Sequence, residues 1–201
     1  NDTLFYILLD ILFEENHYAR IVSKPIKNDL LNTQGEDLEV VLPSVDCILG
    51  DKLTAFAPHT TGIPLGIGKE LEIIKQMYDV AALIDVFDDF EDVYNSYMAI
   101  VETEINYRGL DISANEVLMD TIDTAACIAG RGQIGNEYPM YLAGIKSIST
   151  HIYDERYSAE KAVQSACKTM YLAACILRKS NFEKVIDCNL YCLLYTSDAA
   201  D

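Results

Sequence analysis

Basic residues are scarce in this chain: 15 Lys and Arg stand against 32 Asp and Glu, for a formal net charge of −17. So negative a surface argues against a broad nucleic-acid platform, because contact with phosphate backbones needs a positive footprint. It leaves room for one local basic site, for which Lys24, Lys27, Lys52, Lys69 and Lys75 are the candidates. Long apolar runs are missing too, and nothing approaches the roughly 18 uninterrupted residues of a spanning helix. The opening LFYILLDILF is short, carries Asp10 and lacks a basic flank, so it does not read as a signal peptide. None of the six cysteines (Cys47, Cys127, Cys167, Cys175, Cys188, Cys192) forms a CxxC pair. Several sit at apolar helical positions, which suits small buried thiols in a reducing cytoplasm better than disulfides or a zinc site. There is no GxSxG, no HExxH and no Walker loop; Lys69 in GIGKE is followed by Glu70. His17, His59 and His151 do not assemble with a cysteine into a nucleophilic pair.

Half of the 201 residues are hydrophobic, enough for a packed core in one domain of fair size or two small ones. Residues 3–13, TLFYILLDILF, read as a strand buried on both faces, with Asp10 on the face of Tyr6, Leu8 and Leu12. Two shorter strands are predicted over 17–22 and 38–42, with a turn-rich connection over 24–36. From Pro43 the apolar period lengthens from about two to about 3.6, and helices are predicted over 44–57, 69–85, 88–108, 114–129, 137–153 and 158–179. Ser44 is placed as an N-cap, Ser113 with Glu116 as a capping box, and Gly130 as a helix stop. The expected fold class is α+β, mostly α: strands over 1–43, a helical domain over 44–191, and a terminal segment over 192–201. That last segment, CLLYTSDAAD, reads as the in-frame translation of a transposase-type sequencing adapter and is left out of fold reasoning.

Lys52 stands out. On a helical wheel of about 100° per residue it falls inside the arc of Val45, Ile48, Leu49, Leu53 and Phe56. A buried ammonium is costly unless paired or facing an anion. A snorkelling side chain is the plain alternative. Thr54 and the loop His59-Thr60-Thr61-Gly62, which follow directly, favour the anion-facing role.

The GDKLTAFAP segment, the TTGIP loop and the KQMYDVAAL helix resemble the AbiEii/AbiGii-type nucleotidyltransferase toxins, a branch of the polymerase β-like superfamily. YILLDILFEENHY and PIKNDLL upstream, and the helices to about Ser180, extend the likeness over most of the chain. The resemblance implies strands of a nucleotidyltransferase sheet followed by an α-helical domain, with an Asp-x-Asp pair and a Gly-Ser loop upstream of Asn1. It implies Mg²⁺, since hard cations take carboxylate oxygens and neutralise a triphosphate, with Asp10 as the third metal-binding carboxylate. Lys52 and Thr54 match the family's second motif, with the lysine facing nucleotide phosphate as a point charge and Thr54 either adding a hydroxyl donor or capping its own turn. Thr60 and Thr61 lie in a loop placed to close over the nucleotide. The third motif, usually Arg-Asp-x-x-Asp-Leu, here reads Lys75-Gln76-Met77-Tyr78-Asp79-Val80. Lys75 keeps a positive charge, Gln76 loses the first carboxylate and Asp79 keeps the second. Lys75 and Asp79 form either an exposed i,i+4 pair or part of the cleft wall, with Asp79 orienting a lysine. Asp10, Lys52 and Asp79 are thus the catalytic candidates, and Lys52, Thr54, Thr60, Thr61 and Lys75 the nucleotide-binding ones.

The implied activity is transfer from a nucleoside triphosphate to an RNA acceptor, tRNA in relatives, by a toxin held by a cognate antitoxin in phage defence. Without the upstream Asp-x-Asp pair the present residues are expected to be inactive alone. The alternative is a non-catalytic helical interaction module whose acidic surface meets a basic partner. A soluble cytoplasmic protein without membrane contact fits both.

Overall fold

A computed structural model describes residues 9, 11, 13, 15–27, 32, 34–152 and 156–184. Among them the fold is α+β and mostly α, as expected: an antiparallel hairpin, β1 (Ile21–Pro25) and β2 (Glu39–Pro43), leads into six helices. These are α1 (Val45–Ala55), α2 (Glu70–Val86), α3 (Phe90–Arg108), α4 (Ala114–Ala129), α5 (Tyr138–Ile148) and α6 (Ala159–Arg178).

Local chemistry explains most of the boundaries. Ser44 accepts from the Cys47 N–H at 3.2 Å and starts α1. Ser113 and Glu116 exchange both bonds of a capping box at the start of α4. Ser158 caps α6 in the same way through the Lys161 N–H. The fifth helix stops at Ile148, short of the expected end at 153. Its last residues are hydroxylic, and Ser149 Oγ and Thr150 Oγ1 donate to the carbonyls of Lys146 and Ser147 at 2.7 and 2.9 Å, drawing the backbone out of the helical ladder.

The first strand also lies later than expected, at 21–25 rather than 17–22. Its register against β2 pairs Ile21 with Pro43 and Pro25 with Glu39, so Pro25 sits at the strand's end, where a missing N–H is tolerated. Of the expected strand over 3–13, residues Leu9, Ile11 and Phe13 are described, and they are exposed and in no strand. The rest of that run, Asp10 included, lies outside the described residues, as do residues 192–201.

The core lies between the helices: α1 packs on α3 and α2, α4 on α6, and α2 on α5 and α6. At the α1–α3 crossing a Cβ on Gly50 would stand 2.6 Å from the Val93 carbonyl oxygen and 2.8 Å from the Tyr97 nitrogen, so the close approach requires glycine. Cys47, Cys127 and Cys175 are buried thiols, as expected. Cys167 departs from that expectation, being disulfide-bonded; the CxxC test does not detect bridges between cysteines distant in sequence. No helix among the described residues is long and apolar enough to cross a membrane.

Candidate functional site

Lys52 lies on the last turn of α1, where the chain is about to leave the helix through Phe56. Its neighbours Leu49, Leu53 and Phe56 are fully buried, while about a third of the Lys52 side chain is exposed. The stem therefore packs and the ammonium emerges over α2. There Asp79 Oδ2 accepts from Nζ at 3.0 Å and Gln76 Oε1 accepts at 3.3 Å. The two segments that carry the resemblance thus meet at this lysine. Asp79 pairs with Lys52 across the helices rather than with Lys75 along its own helix. Lys75 is half-buried on α2, with no ion pair to another described residue.

Gln76 has a distinct electrostatic effect. A carboxylate at that position would place two negative charges on Lys52. The amide oxygen holds the ammonium by a neutral bond and leaves Asp79 as its one paired carboxylate among the described residues. An ammonium has three donors, so one is available beyond Asp79 and Gln76. The ion pair itself is a third to two-fifths exposed and is worth only about 0–1 kcal/mol to folding. Next to Lys52, Asp51 takes a hydrogen bond from the Tyr18 hydroxyl at 2.9 Å. Burial pushes the Asp51 carboxyl above the usual range, against the opposing pull of Tyr18 and Lys52, with Glu104 adding to the rise.

Thr54 takes the turn-capping alternative, and Thr60 and Thr61 hold the loop rather than face the lysine. Thr54 is buried and donates to the Asp51 carbonyl at 2.7 Å, capping its own turn. Thr61 is buried and donates to the Thr54 carbonyl at 2.8 Å. Thr60 donates to Asp120 Oδ2 at 2.8 Å. All three hydroxyls are committed to holding the loop, and none joins the Lys52 cluster. Gly62 closes the loop: its N–H reaches the Ala57 carbonyl at 2.7 Å, and a Cβ there would meet the Ala55 oxygen at 2.5 Å.

His59 forms a second cluster that spacing did not reveal. Its Nδ1 lies 2.7 Å from Asp120 Oδ1 on α4 and its Nε2 lies 3.0 Å from Glu137 Oε1, the N-cap residue of α5. The His59 backbone N–H donates to Asp120 Oδ2 at 2.9 Å, and Thr124 donates to Asp120 Oδ1 at 3.3 Å. Burial works against a charged imidazole, but the contacts to Asp120 and then Glu137 outweigh it and move the His59 pKa upward. Asp120 was detectable by the argument that singled out Lys52, since it is a charge inside the stripe of Val117, Thr121 and Thr124. Glu137 had no such signal, because its partner comes from a distant loop. The segment 131–137 is tied at both ends: Arg131 Nη2 lies 3.3 Å from Glu160, and Glu137 holds His59.

Among the described residues no group of three or more His, Cys, Asp or Glu is arranged to hold a metal ion. Asp10, the one metal ligand implied by the resemblance, lies outside them. The acidic run after α2 is structural: Asp89 caps α3 through the Glu91 N–H at 2.9 Å, and Asp92 pairs with Arg20 at 3.0 Å. No family model, no curated protein and no solved structure matches the chain.

Proposed function

We propose that the chain belongs to a nucleotidyltransferase toxin of the AbiEii/AbiGii type, which transfers a nucleotidyl group from a nucleoside triphosphate to an RNA acceptor such as tRNA. The observation that carries this reading is the Lys52–Asp79 contact at 3.0 Å, which joins the two resembling segments in space. An exposed ion pair adds little to folding, so stability alone is a weak reason for a lysine in the apolar arc of α1. In the proposed site Lys52 is the phosphate-facing charge. Asp79 and Gln76 are positioning groups that limit where Nζ can lie, so that less freedom is lost when phosphate arrives. Lys75 adds a second positive charge on α2, and the loop 59–62 braces the end of α1 through its committed hydroxyls.

Mg²⁺ belongs to this reading through Asp10 and the upstream carboxylates that the resemblance implies. The described residues do not supply its ligand set. A cytoplasmic location and a cognate antitoxin complete the proposal. The test is transfer of α-phosphate label from each nucleoside triphosphate to total RNA by the product of the complete reading frame. Labelled RNA is expected, together with a Gly-Ser loop and Asp-x-Asp pair encoded upstream. Absence of both would sink the reading.

One observation favours a second reading, a helical interaction module. Ile21 and Val41, which share one face of the hairpin, are 46% and 71% exposed, apolar side chains open to a protein partner. Label transfer separates the two, since an interaction module yields none.

A further inference from the structure

His59 makes two contacts that a neutral imidazole cannot satisfy together. Nδ1 faces Asp120 Oδ1 at 2.7 Å and Nε2 faces Glu137 Oε1 at 3.0 Å, so both ring nitrogens meet carboxylate oxygens, which only accept. The imidazolium donates to both. A neutral ring has a single N–H, and its other nitrogen then sets a lone pair against an oxygen.

The two contacts are unequal. The Asp120 side chain is 6% exposed and also accepts from the His59 backbone N–H, Thr60 and Thr124, at 2.9, 2.8 and 3.3 Å. The Glu137 side chain is 40% exposed, and His59 is its one side-chain partner among the described residues. Asp120 therefore keeps the remaining proton on Nδ1, and Glu137 is the carboxylate that turns to water.

Glu137 closes a segment with little else to hold it. Residues 131–136 are exposed, and Arg131 has a φ of 49°, left-handed backbone that a side chain disfavours. The Arg131–Glu160 pair at the far end is itself exposed and weak. Beneath the segment lies Cys127, 5% exposed. A Cβ on Gly135 would stand 3.4 Å from its sulfur, and the backbone N–H groups of Glu137 and Tyr138 donate towards it.

We propose that His59 is a proton-operated latch on the 131–137 segment: the imidazolium ties Glu137 to Asp120, and loss of the Nε2 proton to solvent frees Glu137 and lets the segment lift from Cys127. Burial disfavours the imidazolium, but Asp120 and then Glu137 outweigh it and raise the ring's pKa above the ordinary 6.5. The latch is thus closed at lower pH and opens as pH rises through the folded value. Asp120 on α4 and Glu137 at the start of α5 are the charged groups facing the ring. Tyr97 on α3, Cys127 on α4 and Tyr141 on α5 lie near those carboxylates, and burial raises the pKa of each, so they keep their protons while His59 titrates. The inference is independent of the transferase reading.

Iodoacetamide alkylation of the whole chain tests it, with each cysteine followed by peptide mass spectrometry at about pH 6 and about pH 8. Dividing each rate by that of the urea-unfolded chain at the same pH removes the thiol's own titration. The Cys127 ratio is expected to rise about tenfold between the two, the effect of losing one hydrogen bond between charged groups. In Glu137→Gln the amide accepts from the imidazolium and donates to the neutral ring, so the ratio should stay level. A parent ratio that does not rise, or one that rises equally in Glu137→Gln, overturns the proposal. So does Cys47, fully buried on α1, reacting as fast as Cys127 at the higher pH, because global unfolding then accounts for both.

Discussion

Replacing Asp46 with alanine should unfasten α1 from the start of α3. Asp46 is 2% exposed, and its Oδ1 accepts the backbone N–H groups of Asp88 at 2.7 Å and Asp89 at 3.2 Å. Its Oδ2 meets Arg20, whose Nε also reaches Asp92 at 3.0 Å. Hydrogen bonds to a charged acceptor are worth about 1.5–3 kcal/mol each, and breaking a buried pair costs about 3–5 kcal/mol. The bonds share one network and are not additive, and Arg20 is half-exposed and can rehydrate, so the lower end applies. The expected loss is about 3 kcal/mol, or about 6–12 °C in Tm at roughly 2–4 °C per kcal/mol. Asp46→Asn, which keeps an acceptor oxygen and loses the charge, should cost about half as much. The acid limb gives an independent readout. Burial pushes the Asp46 carboxyl upward, but the Asp88 and Asp89 N–H groups and then Arg20 hold it below its ordinary value of 3.8. Its contribution is therefore complete above that unfolded value and is lost as pH falls through the lower folded value. Asp46→Asn should lose less stability than the parent over that acid range. Thermal melts followed by far-UV circular dichroism measure both effects. A Tm within about 3 °C of the parent for Asp46→Ala would refute the reasoning.

Gly50→Ala gains about 1 kcal/mol of helix propensity but must force α3 away from the Val93 and Tyr97 backbone. A net loss of about 1–2 kcal/mol is expected in urea unfolding, and a more stable variant would contradict the close approach. His59 contributes stability through a raised pKa, so its effect is full below about 6.5 and fades as pH rises through the folded value. His59→Gln should flatten the pH dependence of the denaturation midpoint across neutrality. An unchanged profile would remove His59 as its source.

How much of this was legible depends on where each partner lies. Ser44, and Ser113 with Glu116, act on N–H groups within one turn, so sequence alone located those helix starts. The Glu104–Arg108 pair, at 3.3 Å along α3, likewise spans a single turn. Lys52 was legible as a charge in an apolar arc, but not its partner: Asp79 was as compatible with Lys75 until the packing of α1 on α2 decided between them. The contacts of Asp46, and the pairing of Asp120 and Glu137 with His59, depend wholly on tertiary approach, so even where a charge stands out in a helical stripe, as Asp120 does, its partner leaves no periodic trace. Hydroxyl roles were the hardest to read. Thr54, Thr60 and Thr61 look equally suited to phosphate or to local structural bonds, and the fold commits Thr54 and Thr61 to backbone carbonyls and Thr60 to Asp120.

The central claim is that Lys52 serves phosphate rather than folding, and label transfer by Lys52→Gln in the protein expressed from its complete reading frame tests it most directly. The exposed pair predicts a melt within about 1 kcal/mol of the parent, while transfer falls by about a hundredfold. Asp79→Asn should fall by a smaller factor, since it positions the lysine. Transfer unchanged in Lys52→Gln, or lost only in step with stability, would contradict the account.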